Sequence, residues 1–428
     1  MIKHDRGFGP LADGATAVVI GGGPAGVATA LALKQAAAAA GRAVRVVIVE
    51  GKQLTLGQHH NQCAGVLSPP IGALLEAGLG LPFPQHLARA AVTGYVLHAR
   101  RQSLVLDGAA EPSVALRRVQ FDAYMLNAAV DRGVEVMIAR ATDLEFHSDG
   151  VDVYTDSRPL HAAVVVGAFG LDAGTAATFA QAVGYRPPPS LTSVVTKYHP
   201  GQDGMAAFGG RIHAFLPGTP GIEFGAVIPK GNHLTITVAG AAADACRMDT
   251  FLRLPMVRHV LPCLENAGQF DTGDLRYFKG HFPRGLGRRI AGDRFVVVGD
   301  AAGLVRAFKG KGVTAAIETG LRAARVIVSA GISERAFQAF HDANRDILND
   351  LPYGRAMRHF TIAAARLGLL DPVLRAAEHD AGLRCALFDA VSAHRPYREV
   401  VRRGLSAPAL KAVWRSVSSR SRPAGDRR

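Results

Sequence analysis

The chain is 428 residues long, enough for two or three structural units around a large core. Its 48% hydrophobic and 20% charged residues are ordinary for a globular protein, and no run of about 18 or more uncharged apolar residues predicts a membrane span. The formal net charge is +14, and from Arg395 onward ten bases against two acids concentrate more than half of that surplus in the last segment. A basic segment of this kind is either a solvated tail or an attachment to anionic lipid head groups, aided by Leu405, Leu410, Val413 and Trp414. It carries no recognition motif and few interleaved aromatics, so no nucleic-acid partner is expected. Met1 to Arg6 lacks a signal-peptide core, and Cys63, Cys246, Cys263 and Cys385 show no CxxC or zinc spacing. Reduced thiols, a cytoplasmic setting and no metal site are the expectation.

Ala17-Val18-Val19-Ile20 predicts a buried strand. It runs into Gly21-Gly22-Gly23-Pro24-Ala25-Gly26, then a helical stretch of small residues from Val27 to Ala38, then the apolar run from Val44 to Val49, which ends in Glu50. In this Gly-x-Gly-x-x-Gly pattern Gly21 allows a tight turn, Gly23 lets a pyrophosphate approach the backbone, and Gly26 lets the helix pack close to the sheet. The helix N-terminus at Ala25 turns its positive end toward the phosphates. Glu50 is placed to accept hydrogen bonds from a ribose diol. It comes later than the usual ~20 residues after the motif, because the alanine-rich stretch from Gln35 to Gly41 lengthens the helix end. An acid there suits NAD or FAD and argues against a 2′-phosphate.

Further along, Asn61 to Pro69 forms a turn containing Cys63 and Gly65, and Arg118-Val119-Gln120-Phe121-Asp122 precedes a helix and the strand Val134 to Met137. Val164-Val165-Val166 is another buried run, ending in Gly167-Ala168-Phe169-Gly170. Leu234 to Val238 alternates as a strand of an antiparallel sheet does. Phe295 to Val298 leads into Gly299-Asp300-Ala301-Ala302-Gly303, and Gly310-Lys311-Gly312-Val313 opens a helix that runs to Ser329. Asp300, at a strand end, can accept from a polyol. The amides after Gly310 and Gly312 can face an anionic ring edge. Residues 346–428 read as helical, with apolar spacing at Ile362, Ala365, Leu367 and Leu370, before the basic end.

Taken with the later glycine pair, Gly299-Asp300-Ala301-Ala302 resembles the second FAD fingerprint of the flavoprotein monooxygenase-fold superfamily. Arg118 to Asp122 resembles its R-x-x-F-D segment, whose arginine lies near the cofactor. Val164 to Gly170 resembles its V-x-G-A-D-G motif with Phe169 in place of the acid, which weakens a hydroxylase reading. Within the superfamily the chain resembles the geranylgeranyl reductase family. That likeness rests on the Cys63-Ala64-Gly65 turn and on Phe224-Gly225-Ala226-Val227-Ile228-Pro229-Lys230-Gly231, where Phe224 and Ala226 stand for the family's tyrosine and tryptophan.

The resemblance implies an α/β fold with a Rossmann-like FAD-binding domain (15–68, 111–184 and 283–345). Interleaved with it would be an antiparallel-sheet substrate domain (69–110 and 185–282), followed by a helical C-terminal region (346–428). It implies FAD held by Gly21, Gly23, Ala25, Gly26, Glu50, Arg118, Gly299, Asp300, Gly303, Gly310, Gly312 and Val313. Cys63 and Gly65 would stand at the isoalloxazine face, with the thiol orienting substrate or helping to deliver a proton; the other reading of Cys63 is a small buried residue. His59 and His60 are a proton relay or polar loop residues. Lys309 and Lys311 either stabilise anionic reduced flavin or face solvent. The implied activity is reduction of C=C bonds in an isoprenoid lipid, quinone or pigment chain. A membrane-docked electron-transfer dehydrogenase, a monooxygenase and a non-catalytic flavin-bound protein are the alternatives. The electron donor (NAD(P)H, ferredoxin, another flavoprotein or a quinol) has no legible site, since no second nucleotide fold is present in the sequence pattern.

Overall fold

The computed structural model describes residues 8–52, 63–107, 111–262, 275–305 and 312–418. His59, His60, Cys263, Lys309, Gly310 and Lys311 lie outside them.

Runs of β-branched residues with no polar alternation belong in a sheet covered on both faces, and the chain obeys. Thr16–Ile20, Arg45–Glu50, Val164–Gly167, Phe295–Val297 and Glu135–Ile138 pair in parallel, with Ala291–Gly292 antiparallel at one edge. Val18, Val19, Val47, Ile48, Val165 and Val166 are wholly buried, each worth about 1.5–3 kcal/mol of apolar burial. The glycine turn starts the helix Pro24–Ala39, which packs along Gly312–Ser329. Small residues permit the close crossing: a side chain at Gly320 would sit 2.6 Å from the Ala25 carbonyl oxygen. A three-stranded antiparallel sheet of Ala141–Phe146, Val151–Thr155 and Leu160–Ala162 lies against the helix Ala173–Val183.

The second large sheet has seven strands in the order Phe278–Pro283, Ser190–Tyr198, Leu234–Gly240, Phe224–Pro229, Arg211–Phe215, Gly94–His98, Ser103–Asp107. The expectation of a purely antiparallel sheet needs one correction: Arg211–Phe215 pairs in parallel with Gly94–His98, Ala214 opposite Leu97. Between these two strands the chain passes through the nucleotide-binding unit. A long crossover is what parallel pairing requires. Helices Ala245–Leu252 and Pro255–Val260 cover one face through Met248, Phe251 and Val257. The C-terminal helices Leu370–His379, Ala381–Ser392 and Ala407–Ser418 cover Leu97, Ile212 and Ala214 through Leu374, Leu383 and Ala409. Within 69–110, the helix Ile71–Leu79 buries Ile71, Leu75 and Leu79 in the core of the parallel sheet, while Gly94–His98 and Ser103–Asp107 join the seven-stranded one.

Candidate functional site

The carboxyl ends of the parallel strands open onto a cleft of about 530 Å³, the place where open α/β sheets bind ligands. Gly21, Gly23, Ala25, Glu50, Arg118, Asp300, Gly312 and Val313 all line it. Gly21 has φ +113, a backbone only glycine adopts readily, and any side chain there would overlap the Ala168 carbonyl. Gly26 is packed so tightly that a Cβ would overlap the Gly21 carbonyl oxygen. Gly23 is the opposite case, with nothing within 4 Å of the point a Cβ would occupy. The adjoining helix Pro24–Ala39 has no side-chain cap, and Pro24 has no N–H, so the Ala25 amide is the first of the helix at the cleft. That is the cradle a pyrophosphate needs.

Glu50 is half-fixed in place. Its Oε2 accepts from the Gly22 amide at 2.7 Å and its Oε1 from the Lys52 amide at 2.8 Å. A carboxylate offers about four acceptor positions, so one on each oxygen is left for a vicinal diol. Asp300 sits in the turn Gly299–Ala302 after the strand Phe295–Val297. Burial raises its carboxyl to about 6, against the pull of Arg118. Gly26, Gly299 and Gly303 do not line the cleft. Gly299 donates its amide to Thr319 Oγ1 and lies against Ala25, while Gly303, at φ +72, closes on the Gly285 carbonyl. These three glycines hold helix, turn and loop at close approach. Phe169 fills the space where the resembling motif has an acid, its ring 5.0 Å from Phe179 and 5.7 Å from Tyr185. Asp172 instead caps the next helix by accepting from the Thr175 amide.

Arg118 begins the helix Arg118–Asp131 and pairs with Asp122 one turn on, at 3.0 Å. Burial lowers its guanidinium, but Asp122, Cys63 and Asp300 together hold it above its ordinary value. Its Nη1 also donates to Cys63 Sγ at 3.8 Å. Arg118 therefore joins the cleft to the Cys63 turn. Cys63 is exposed, which corrects the reading of it as a small buried residue. Gly65 has φ +68, and its carbonyl accepts from the Leu116 amide at 2.9 Å. A side chain at Gly65 would come within 2.8 Å of Lys230 Nζ.

Lys230 has no role in the sequence reading beyond its place in a motif. It is 5% exposed, and its ammonium donates to the Ala64 carbonyl at 3.0 Å. Burial lowers its pKa to about 8, assisted by Lys197, Arg117 and Arg118 and opposed by Cys63. Lys197 is lowered by burial and then by Arg117. His233, opposite Lys230 through the Lys230 amide to His233 carbonyl bond, is lowered to about 4 by burial and then by Lys230. The signal was a charged residue in phase with Phe224, Ala226 and Ile228, on the same face of the strand. The register adds Thr235, opposite both Ile228 and Lys197. The buried Thr235 hydroxyl and His233 Nε2 have no hydrogen-bond partner among the described residues.

No family model and no curated protein matches the sequence. Solved structures do match. A geranylgeranyl bacteriochlorophyll reductase-like protein from Thermoplasma acidophilum superposes with a TM-score of 0.71 at 16% identity, over 95% of this chain and all of that one. A flavoprotein/dehydrogenase from Cytophaga hutchinsonii gives 0.67 at 16% identity over the same shares. A point mutant of the halogenase PltM, in complex with FAD, gives 0.63 at 15% identity, over 96% of this chain and 93% of that one. The chain has the fold of these flavoproteins, a Rossmann-like unit with a sheet domain above it and helices at the C-terminus.

Proposed function

We propose that the protein is an FAD-dependent oxidoreductase that reduces C=C bonds of an isoprenoid-type lipid, quinone or pigment chain. The observation that carries this reading is the Cys63–Gly65 turn, clamped between Arg118 of the cleft and Lys230 of the sheet. The residues of the cleft fit FAD: the amides of Gly23 and Ala25 for the pyrophosphate, Glu50 for a ribose, Asp300 for the polyol, and the helix start at Gly312 and Val313 for the ring edge. When bound, FAD supplies the hydride chemistry. Alkene reduction also needs a proton, and the chain holds one at Lys230 Nζ, whose lowered pKa keeps it protonated yet ready to donate near neutrality. Arg118 fixes the thiol of Cys63 beside it. Gly65 keeps the turn narrow enough for the ammonium to reach the Ala64 carbonyl. On the sheet face from Phe224 to Lys230, Ala226 and Ile228 pack in the core with the C-terminal helices, so the substrate chain would be aligned, and water kept out, at the Lys230 end of the strand.

The test is to load the protein with FAD, reduce it with dithionite without oxygen, and add geranylgeranyl lipids, prenylated quinones and pigments. A mass gain of two hydrogens in any of them supports the reading, and no saturated product from all three classes ends it. A second reading, an electron-transfer dehydrogenase docked on a membrane, is favoured by the exposed Leu410 and Trp414 beside the bases of the last helices. It gives quinone-dependent reoxidation without a change in the prenyl chain. Substrate-dependent oxygen consumption would assign a monooxygenase instead.

A further inference from the structure

The C-terminal helices display most of the large apolar side chains that the described residues leave in solvent. On Arg345–Arg366 and its C-cap, Tyr353, Phe360 and Leu367 are 42%, 63% and 72% exposed. They recur at intervals of seven, with exposed Ala356 and Ala363 between them. That spacing draws one apolar stripe along about four turns of helix. Tyr397–Gly404 packs on this helix, and at its end and on Ala407–Ser418 stand Leu405, Leu410 and Trp414, the last two a turn apart. None of the chain's own elements covers these side chains among the described residues.

Charge identifies what would. From Leu351 to Leu370 the sequence has Arg355, Arg358 and Arg366 and no acid. Arg358 turns inward to pair with Glu223, which leaves Arg355 and His359 exposed on this helix, while Arg366 reaches the groove on its other side. Ala407–Ser418 likewise has exposed Lys411 and Arg415 and no acid. Two copies of the chain paired through these helices would bring like charges together, since exposed Arg355, Lys411 and Arg415 have no acid beside them in those stretches. An acyl boundary beneath negative head groups takes both the apolar side chains and the bases.

We propose that Tyr353, Phe360 and Leu367, with Leu410 and Trp414, form a docking face for an anionic lipid bilayer. The face is built on a folded helix and not only on the basic end of the sequence. On the opposite side of the same helix, Arg358, Ile362, Ala365 and Arg366 line a groove of about 470 Å³, closed by the loop 217–222. Docking therefore leaves a single helix between the bilayer and that groove. The proposal does not depend on which reaction the protein catalyses.

The experiment is flotation of the purified full chain with vesicles of phosphatidylcholine alone and of phosphatidylcholine with about a third phosphatidylglycerol. Wild type is expected to float with the anionic vesicles, less so in high salt, and poorly with the neutral ones. Phe360→Glu/Leu367→Glu changes only exposed side chains, so its melting temperature should hold while its partition falls by about tenfold or more. A companion variant, Arg420→Gln/Arg422→Gln/Arg427→Gln/Arg428→Gln, should lose much less. Equal flotation of wild type and the stripe variant overturns the proposal, as does loss confined to the tail variant. A wild-type dimer that ignores vesicles and becomes monomeric in the stripe variant would assign the face to a second copy and overturn it as well. Vesicle binding without alkene reduction would instead leave this face standing and remove only the proposed reaction.

Discussion

The two large sheets build their halves of the site by different means. In the parallel unit the proposed cofactor site is mostly backbone: the amides of Gly23 and Ala25, a tight turn at Gly21, and one fixed acid, Glu50. In the seven-stranded sheet the proposed site is made of side chains, with Lys197 and Thr235 on neighbouring strands and Lys230 and His233 in the hairpin turn between Pro229 and Leu234. A backbone site needs particular residues at fixed spacing within one βα turn, and so it leaves a sequence signature. A side-chain site on a sheet needs only the right phase and register, and register is a property of the fold.

The largest effect should come from closing the backbone half. Gly26→Ala places a methyl against the Gly21 carbonyl; a loss of about 3 kcal/mol or more is expected, read as a lowered melting temperature together with lost FAD. Gly23→Ala meets nothing in the protein. Its apo form should melt like wild type while FAD affinity falls, and equal melting and equal affinity in both variants would dissolve the distinction between packing and cradle glycines.

On the side-chain half, Lys230→Met should leave FAD content unchanged and lower kcat by roughly a hundredfold or more, the usual range for a lost general acid. Wild-type activity should decline as pH rises through about 8, where the ammonium gives up its proton. Stability should move the other way. The folded value of about 8 lies below the ordinary 10.5, so the unfolded chain binds more protons between them and stability rises with pH across that window. Lys230→Met should abolish that rise in urea melts; if the rise persists, Lys230 is not its source.

A smaller effect is expected at Asp300. Its carboxyl, raised by burial from 3.8 to about 6, binds more protons folded than unfolded between those values, so stability should fall as pH rises from about 4 to 6. Asp300→Asn should flatten that slope and weaken FAD. The smallest effect belongs to Arg211→Ala, which removes an exposed pair with Asp107 and should shift stability by under about 1 kcal/mol.

The strands Ala17 to Ile20 and Val44 to Val49, the glycine turn, Glu50 and Asp300 were legible because both faces of the sheet and the turn geometry constrain local residue type. Helix ends were less so: the first helix starts at Pro24 and not Val27. The packing role of Gly26 was legible from its place in the motif, whereas Gly299 and Gly303, read only as ligand contacts, lie outside the cleft lining and pack against Ala25 and the Gly285 carbonyl. The parallel pairing of Arg211–Phe215 with Gly94–His98 was hidden because it joins strands more than a hundred residues apart. Lys230 was visible only as part of Pro229-Lys230-Gly231. Of its neighbours, His233 lies in the same hairpin turn, while Cys63 and Lys197 come from two other segments.

The most direct test of the central claim is an anaerobic titration of the FAD-loaded protein, reduced with dithionite and followed by flavin absorbance as prenyl lipid is added. The account expects reoxidation by the lipid with a gain of two hydrogens in its mass, and slow reoxidation in Lys230→Met. A protein that purifies and refolds well yet retains no FAD, or a reduced flavin that no prenyl substrate reoxidises, would contradict it.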